Sequence, residues 1–84
     1  MSDSLHDFLV TDRDSFTRFL GLLIEDLRAN PKSWPNSTLE HYLRAMESYT
    51  GHIQTYYDNT NQDIDADVPS WKVFADILKG AKAG

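Results

Sequence analysis

The side chains here best suited to proton transfer or imidazole ligation are His6, His41 and His52. On a helical wheel His41 and His52 share one face, but their separation in sequence sets them about 16 Å apart along a helix. That is far too long for joint ligation of zinc, where each Zn–N bond is about 2.0–2.1 Å. With no H-E-x-x-H present, all three are expected at the surface. Asp63, Asp65 and Asp67 reproduce the opening of a calcium loop, D-x-[DN]-x-[DN]. Such a loop needs Gly at its sixth position and a bidentate Glu at its twelfth, where this chain has Val68 and Phe74. A solvated loop is the better reading. No Ser or Thr lies in G-x-S-x-G or beside a His oriented by a carboxylate. Gly21, Gly51, Gly80 and Gly84 are too scattered to cradle a phosphate. Glu25-Asp26, and Glu40 with Glu47, are carboxylate pairs expected on exposed helix faces. These patterns predict no catalytic residue, no metal, no cofactor and no enzyme.

Charge is distributed more informatively. No Lys or Arg occurs between Arg44 and Lys72, a stretch that holds Glu47, Asp58, Asp63, Asp65 and Asp67. The rest of the chain balances, so the whole net charge of −5 belongs to this region. A field of one sign speaks to partners and association rates rather than to chemistry. It argues against direct nucleic-acid binding, which needs cations to displace counterions from phosphates, and it suits a protein partner with a basic surface. The plainer alternative is a solubilising loop.

These residues must be positioned by a small scaffold. Eighty-four residues predict one domain, 1–84, at the size where a single core is barely sufficient. Without Cys there is no disulfide framework, so packing alone holds the fold. No apolar run approaches the roughly 20 residues of a membrane span. Met1–Val10 carries Asp3 and Asp7 and no basic residue, unlike a secretory signal; a soluble cytoplasmic protein is expected.

Three segments show helical periodicity and none reads as a strand, which predicts an all-α bundle of three main helices. The first carries Phe16, Phe19, Leu20, Leu23 and Leu27, opened by a Thr11/Asp14 capping box and closed by Asn30-Pro31. The second carries Leu39, Tyr42, Leu43, Met46, Tyr49, Ile53, Tyr56 and Tyr57 behind a Ser37–Glu40 capping box, with a bend or fray expected at Gly51. The third carries Trp71, Phe74, Ala75 and Leu78, with Ser70 as N-cap and Gly80 as the stop. A short helix over Met1–Val10 and a long acidic loop from about Asp58 to Pro69 complete the picture. Leu20 and Phe74 fall at the centres of their stripes and are expected in the core. Leu22, Val73 and Ile77 fall off the stripes. They either pack on Leu5, Phe8 and Leu9 or form an exposed apolar patch.

Trp34 and Trp71, near helix starts, are either core caps whose indole N–H reaches a carbonyl or anchors for a partner. The first reading is favoured by how much area a small core needs. With Tyr42, Tyr56 and Tyr57 they also offer the walls of an aromatic pocket.

Two stretches carry a family resemblance: Trp34-Pro35-Asn36 running on to Leu39-Glu40, and Trp71 followed by Phe74-Ala75 and Leu78. The chain resembles a family of small bacterial proteins of unknown function marked by a Trp-x-Asn…Leu-Glu element and a Trp-x-x-Phe-Ala-x-x-Leu element, over about Phe16 to Ala81. It departs from that pattern at Pro35, where Glu is usual, and at Gly84, which implies a shorter last helix. The resemblance implies a fold and transfers no catalytic residue. Taken together, the residues lead to a non-catalytic acidic module that binds another protein through Glu47, Asp58, Asp63, Asp65 and Asp67, with Trp34, Tyr56, Tyr57 and Trp71 as aromatic anchors. Its concrete form is a stoichiometric inhibitor, of toxin-immunity or phage counter-defence type, covering a basic nucleic-acid-handling surface. The alternatives are a small-molecule accessory protein with an aromatic pocket and a structural homodimer.

Overall fold

The structure, a computed structural model, describes residues 5, 7–36 and 38–83. Helix α1 spans Arg13–Ala29, a 3-10 turn spans Pro31–Ser33, α2 spans Leu39–Asn59 and α3 spans Trp71–Ala83. Leu5 and Asp7 also have helical backbone, and no strand occurs among the described residues. The fold is a small all-α bundle.

Local chemistry sets each boundary. The capping box of α1 lies one residue beyond the expected one: the Ser15 N–H donates to Asp12 Oδ1 at 2.8 Å, and the Asp12 N–H donates to Ser15 Oγ at 3.0 Å. Asp14 is instead drawn one turn along the helix, to Arg18 at 3.1 Å. The bonds from Ser15 hold the Asp12 carboxyl below the usual carboxylate range. Pro31, with no N–H to give, follows the last turn of α1. Thr38 caps α2 by accepting the His41 N–H at 3.2 Å; Ser37, expected in that role, lies outside the described residues, as does His6. Helix α2 runs on through Gly51. It stops in a Schellman arrangement: Asn61 takes the left-handed conformation (φ 57°), the Gln62 N–H donates to the Tyr57 carbonyl at 2.9 Å, and the Asn61 N–H to that of Asp58 at 3.3 Å. Ser70 caps α3 by accepting the Val73 N–H at 3.1 Å.

Helix α3 is wedged between the other two. It packs against both, most extensively against α2, whereas α1 and α2 share no comparable interface. Two apolar clusters result. Leu5, Val10, Phe19, Leu23, Trp34 and Ala75 form one, with Phe8, Leu22 and Leu78 packed on it. Ile53, Tyr57 and Val73 form the other, with Ile64, Ala66 and Ile77 packed on it. Leu22 packs on the cluster that also holds Leu5. Val73 and Ile77 belong to the other cluster, with Ile64 and Ala66 of the acidic loop, because a wedged helix buries both flanks. Leu9 is exposed. The expected faces of α1 and α3 are also rotated: Leu20 (38% exposed) and Phe74 (40%) lie at the rim, while Phe19 (1%) and Val73 (3%) fill the interior.

Gly80 does not end α3, which continues to Ala83. A Cβ at that position would fall inside the Tyr49 ring. Gly80→Ala is therefore expected to destabilise by about 1–3 kcal/mol, as overpacking does. In a Tyr49→Ala background the same change should become stabilising by about 0.5–1 kcal/mol, since glycine is costly inside a helix. Chemical denaturation of the four proteins checks this, and a cost of Gly80→Ala that is unchanged without the ring would refute the contact.

Candidate functional site

Four places in this fold gather polar or exposed apolar groups. At the first, Asp26 projects from the inner face of α1, and the 3-10 turn folds Trp34 back over it. The Trp34 Nε1–H donates to Asp26 Oδ2 at 2.8 Å, and the Lys82 ammonium from α3 meets the same oxygen at 2.6 Å. The Asn30 side-chain amide reaches Oδ1 at 3.4 Å. Lys82 also sits 5.7 Å above the Trp34 ring. The Lys82 hydrogen bond, aided by those from Trp34 and Asn30, outweighs burial and holds the Asp26 carboxyl below the ordinary range. A carboxylate so fully engaged fastens α3 to α1 and is poorly suited to shuttle protons. Nearby, the Tyr42 hydroxyl donates to the Leu78 carbonyl at 2.9 Å and the Asn36 amide to that of Ala81 at 3.1 Å.

Around Asp76 the logic repeats. Its Oδ2 accepts from the Tyr57 hydroxyl at 2.7 Å and from Lys72 Nζ at 2.7 Å. Tyr57 has no exposed surface, and burial first, then the bond to Asp76, pushes its phenol well up. His41 and His52 are exposed, and His52 Nδ1 lies 2.8 Å from the Ser48 carbonyl. Among the described residues no group of His, Cys, Asp or Glu is placed to hold a metal.

The acidic loop is ordered by its neighbours. Asp63, Asp65 and Asp67 are exposed, while Ile64 and Ala66 between them are half-buried against α2 and α3. Gln54 of α2 staples the segment: its amide donates to the Ile64 carbonyl at 2.9 Å and to Asp58 at 3.1 Å, and its carbonyl accepts the Ala66 N–H at 2.7 Å. The Asp67 N–H closes a local turn onto Asp65 Oδ1 at 2.9 Å. Asp58 is thus brought beside Asp63–Asp67. Glu47 is not; it lies about 16 Å back along α2, on a surface shared with Leu39, Glu40, Leu43 and Arg44.

The aromatic residues are divided in the same way. Trp34 is buried and stacks on Tyr42 with centroids 5.9 Å apart. Its indole N–H meets a carboxylate rather than a carbonyl. Trp71 packs on Phe16 at 5.4 Å and on Phe74 at 5.8 Å. Tyr56 lies against Tyr49 and Tyr57, so the five rings expected around one pocket belong to three separate groups. What opens instead is an apolar cleft of about 440 Å³ between α1 and the start of α2, walled by Leu20, Ile24, Leu27 and Leu39 and floored by Trp34, Tyr42 and Leu78.

Two of these features escaped sequence reasoning. Asp26 was expected as a solvated acid, yet it is buried. The signal was its position, three residues after Leu23 and seven after Phe19 on the buried face. The cleft escaped because its leucines read as core.

A family model described as a family of unknown function (DUF7660) matches residues 12–83, nearly the whole chain, and the chain belongs to that family. The match spans both elements of the resemblance, from Trp34 and from Trp71. No curated protein and no solved structure gives a significant match. No helix among the described residues is long and apolar enough to cross a membrane.

Proposed function

We propose that this member of a family of unknown function is a non-catalytic acidic module that binds another protein, acting in the cytoplasm as a stoichiometric inhibitor of toxin-immunity or phage counter-defence type. The observation that carries the reading is the stapled acidic loop. Asp58, Asp63, Asp65 and Asp67 are exposed and form no ion pair among the described residues, while Gln54, Ile64 and Ala66 fix the backbone beneath them. A charged surface ordered before binding loses little freedom when it docks. Its field accelerates encounter with a basic surface, and its carboxylates compete there with nucleic-acid phosphates for the same Lys and Arg side chains.

Changing Asp63, Asp65 and Asp67 together to Asn keeps shape and removes three charges. Folding stability should barely change, because these side chains are exposed. Association with the partner recovered by affinity capture should slow, and its rate should depend less on salt than that of the wild type. A polyanion should displace the wild-type protein from that partner. Surface plasmon resonance at two salt concentrations reads both rates. Equal rates and equal salt slopes would reduce the loop to a solubilising segment.

A further inference from the structure

We infer that the apolar cleft between α1 and α2 is the seat of a second copy of this chain, docked face to face about a two-fold axis running along the cleft. This does not rest on the acidic-loop reading, which concerns the opposite end of α2.

Leu39 (74% exposed), Ile24 (53%) and Leu43 (52%) are large apolar side chains standing in water, and Leu39 joins the cleft to the Leu43 surface in one patch. With Leu20 and Leu27 they leave on the order of 500 Å² of contiguous apolar surface, near the top of what monomers usually expose. Adding a polar rim brings the face close to the roughly 800 Å² that each side of a standard interface buries.

Charge selects the occupant. The α1 edge carries Arg28, one turn beyond Ile24; the α2 edge carries Glu40 and Glu47 beside Leu39 and Leu43, with Arg44 between them, and so is acidic on balance. A wholly basic partner helix would meet Arg28, and a wholly acidic one would meet the two glutamates. A two-fold axis along the cleft sets each α1 over its partner's α2, so that opposite edges face each other, as an isologous interface requires. The exposed Glu40–Arg44 pair at 3.0 Å balances within itself, which leaves Glu47 as the uncompensated acid of that edge.

Sedimentation equilibrium over a concentration series tests this. The wild type should dimerise reversibly, and Leu39→Asp with Leu43→Asp should raise the dissociation constant at least about tenfold. Both side chains are exposed, so circular dichroism should show the helices intact. Arg28→Glu in one preparation, and Glu40→Lys with Glu47→Lys in another, should each weaken self-association by placing like charges together. Mixing the two preparations should restore the dimer, because every facing pair is again opposite in sign. A wild type that stays monomeric throughout, a dimer indifferent to Leu39 and Leu43, or no recovery on mixing would each overturn the inference.

Discussion

Asp26→Ala is expected to cost about 3–5 kcal/mol in chemical denaturation, the range for breaking a buried ion pair from one side. The carboxylate receives both the Trp34 indole N–H and the Lys82 ammonium. Its removal leaves two donors unmet at the junction of α1, the 3-10 turn and α3. Asp26→Asn keeps the shape and an acceptor for Trp34 while losing the charge, so it should cost less. The acid limb separates the ionic part. The Asp26 carboxyl titrates below its unfolded value in the folded state. Its contribution is therefore complete above about pH 4, the unfolded carboxylate range, and is lost as pH falls through the lower folded value. The stability gap between wild type and Asp26→Asn should narrow across that window. A gap unchanged from neutral pH to strong acid would rule out the ion pair.

Phe19→Ala should cost about 3–5 kcal/mol, as deleting a fully buried ring does. Phe19 has 1% of its surface exposed and joins residues from α1, α3 and the N-terminal segment in one cluster. Leu20→Ala and Phe74→Ala, at rim positions, should cost only about 1–2 kcal/mol each, since part of each side chain already meets water. The measurement belongs at low protein concentration, where self-association through the cleft cannot contribute. Losses at Leu20 or Phe74 equal to that at Phe19 would restore the faces expected from periodicity.

The contrast between those neighbours shows what was legible in the sequence. Helix number and most boundaries were, because Asn30-Pro31 and Ser70 act on their own few residues; the end of α3 was not, since Gly80 reads as a stop and the helix runs on to Ala83. The buried faces were not. Helix α1 carries apolar side chains over more than half its circumference, from Leu22 through Phe19 and Leu23 to Leu20 and Ile24, so spacing alone left open which edge α3 would cover. Helix α3 carries two stripes, Trp71/Phe74/Leu78 and Val73/Ile77, and only its wedged position explains both. Small Ala75 and Ala81, buried at 3% and 0% exposure, sit where neighbouring elements come close. Within the site, the acids of Asp58–Asp67 were legible as charge. Their ordering was not, since it depends on Gln54, a residue with no local signature. Asp26 was legible as an acid, but its partner Lys82 lies at the other end of the chain.

The Gly80–Tyr49 contact also constrains the routes by which such a sequence can change. A methyl group at residue 80 is harmful while the ring is present and favourable once it has gone. The two positions therefore show sign epistasis: a side chain at residue 80 is favourable only in a chain that has already surrendered the ring at 49. Either order passes through a loss, since Tyr49 is half-buried and packed on Tyr56, in a domain too small to absorb many. Among relatives, a bulky aromatic at 49 and anything larger than glycine at 80 should seldom coexist, so these two columns should vary as one.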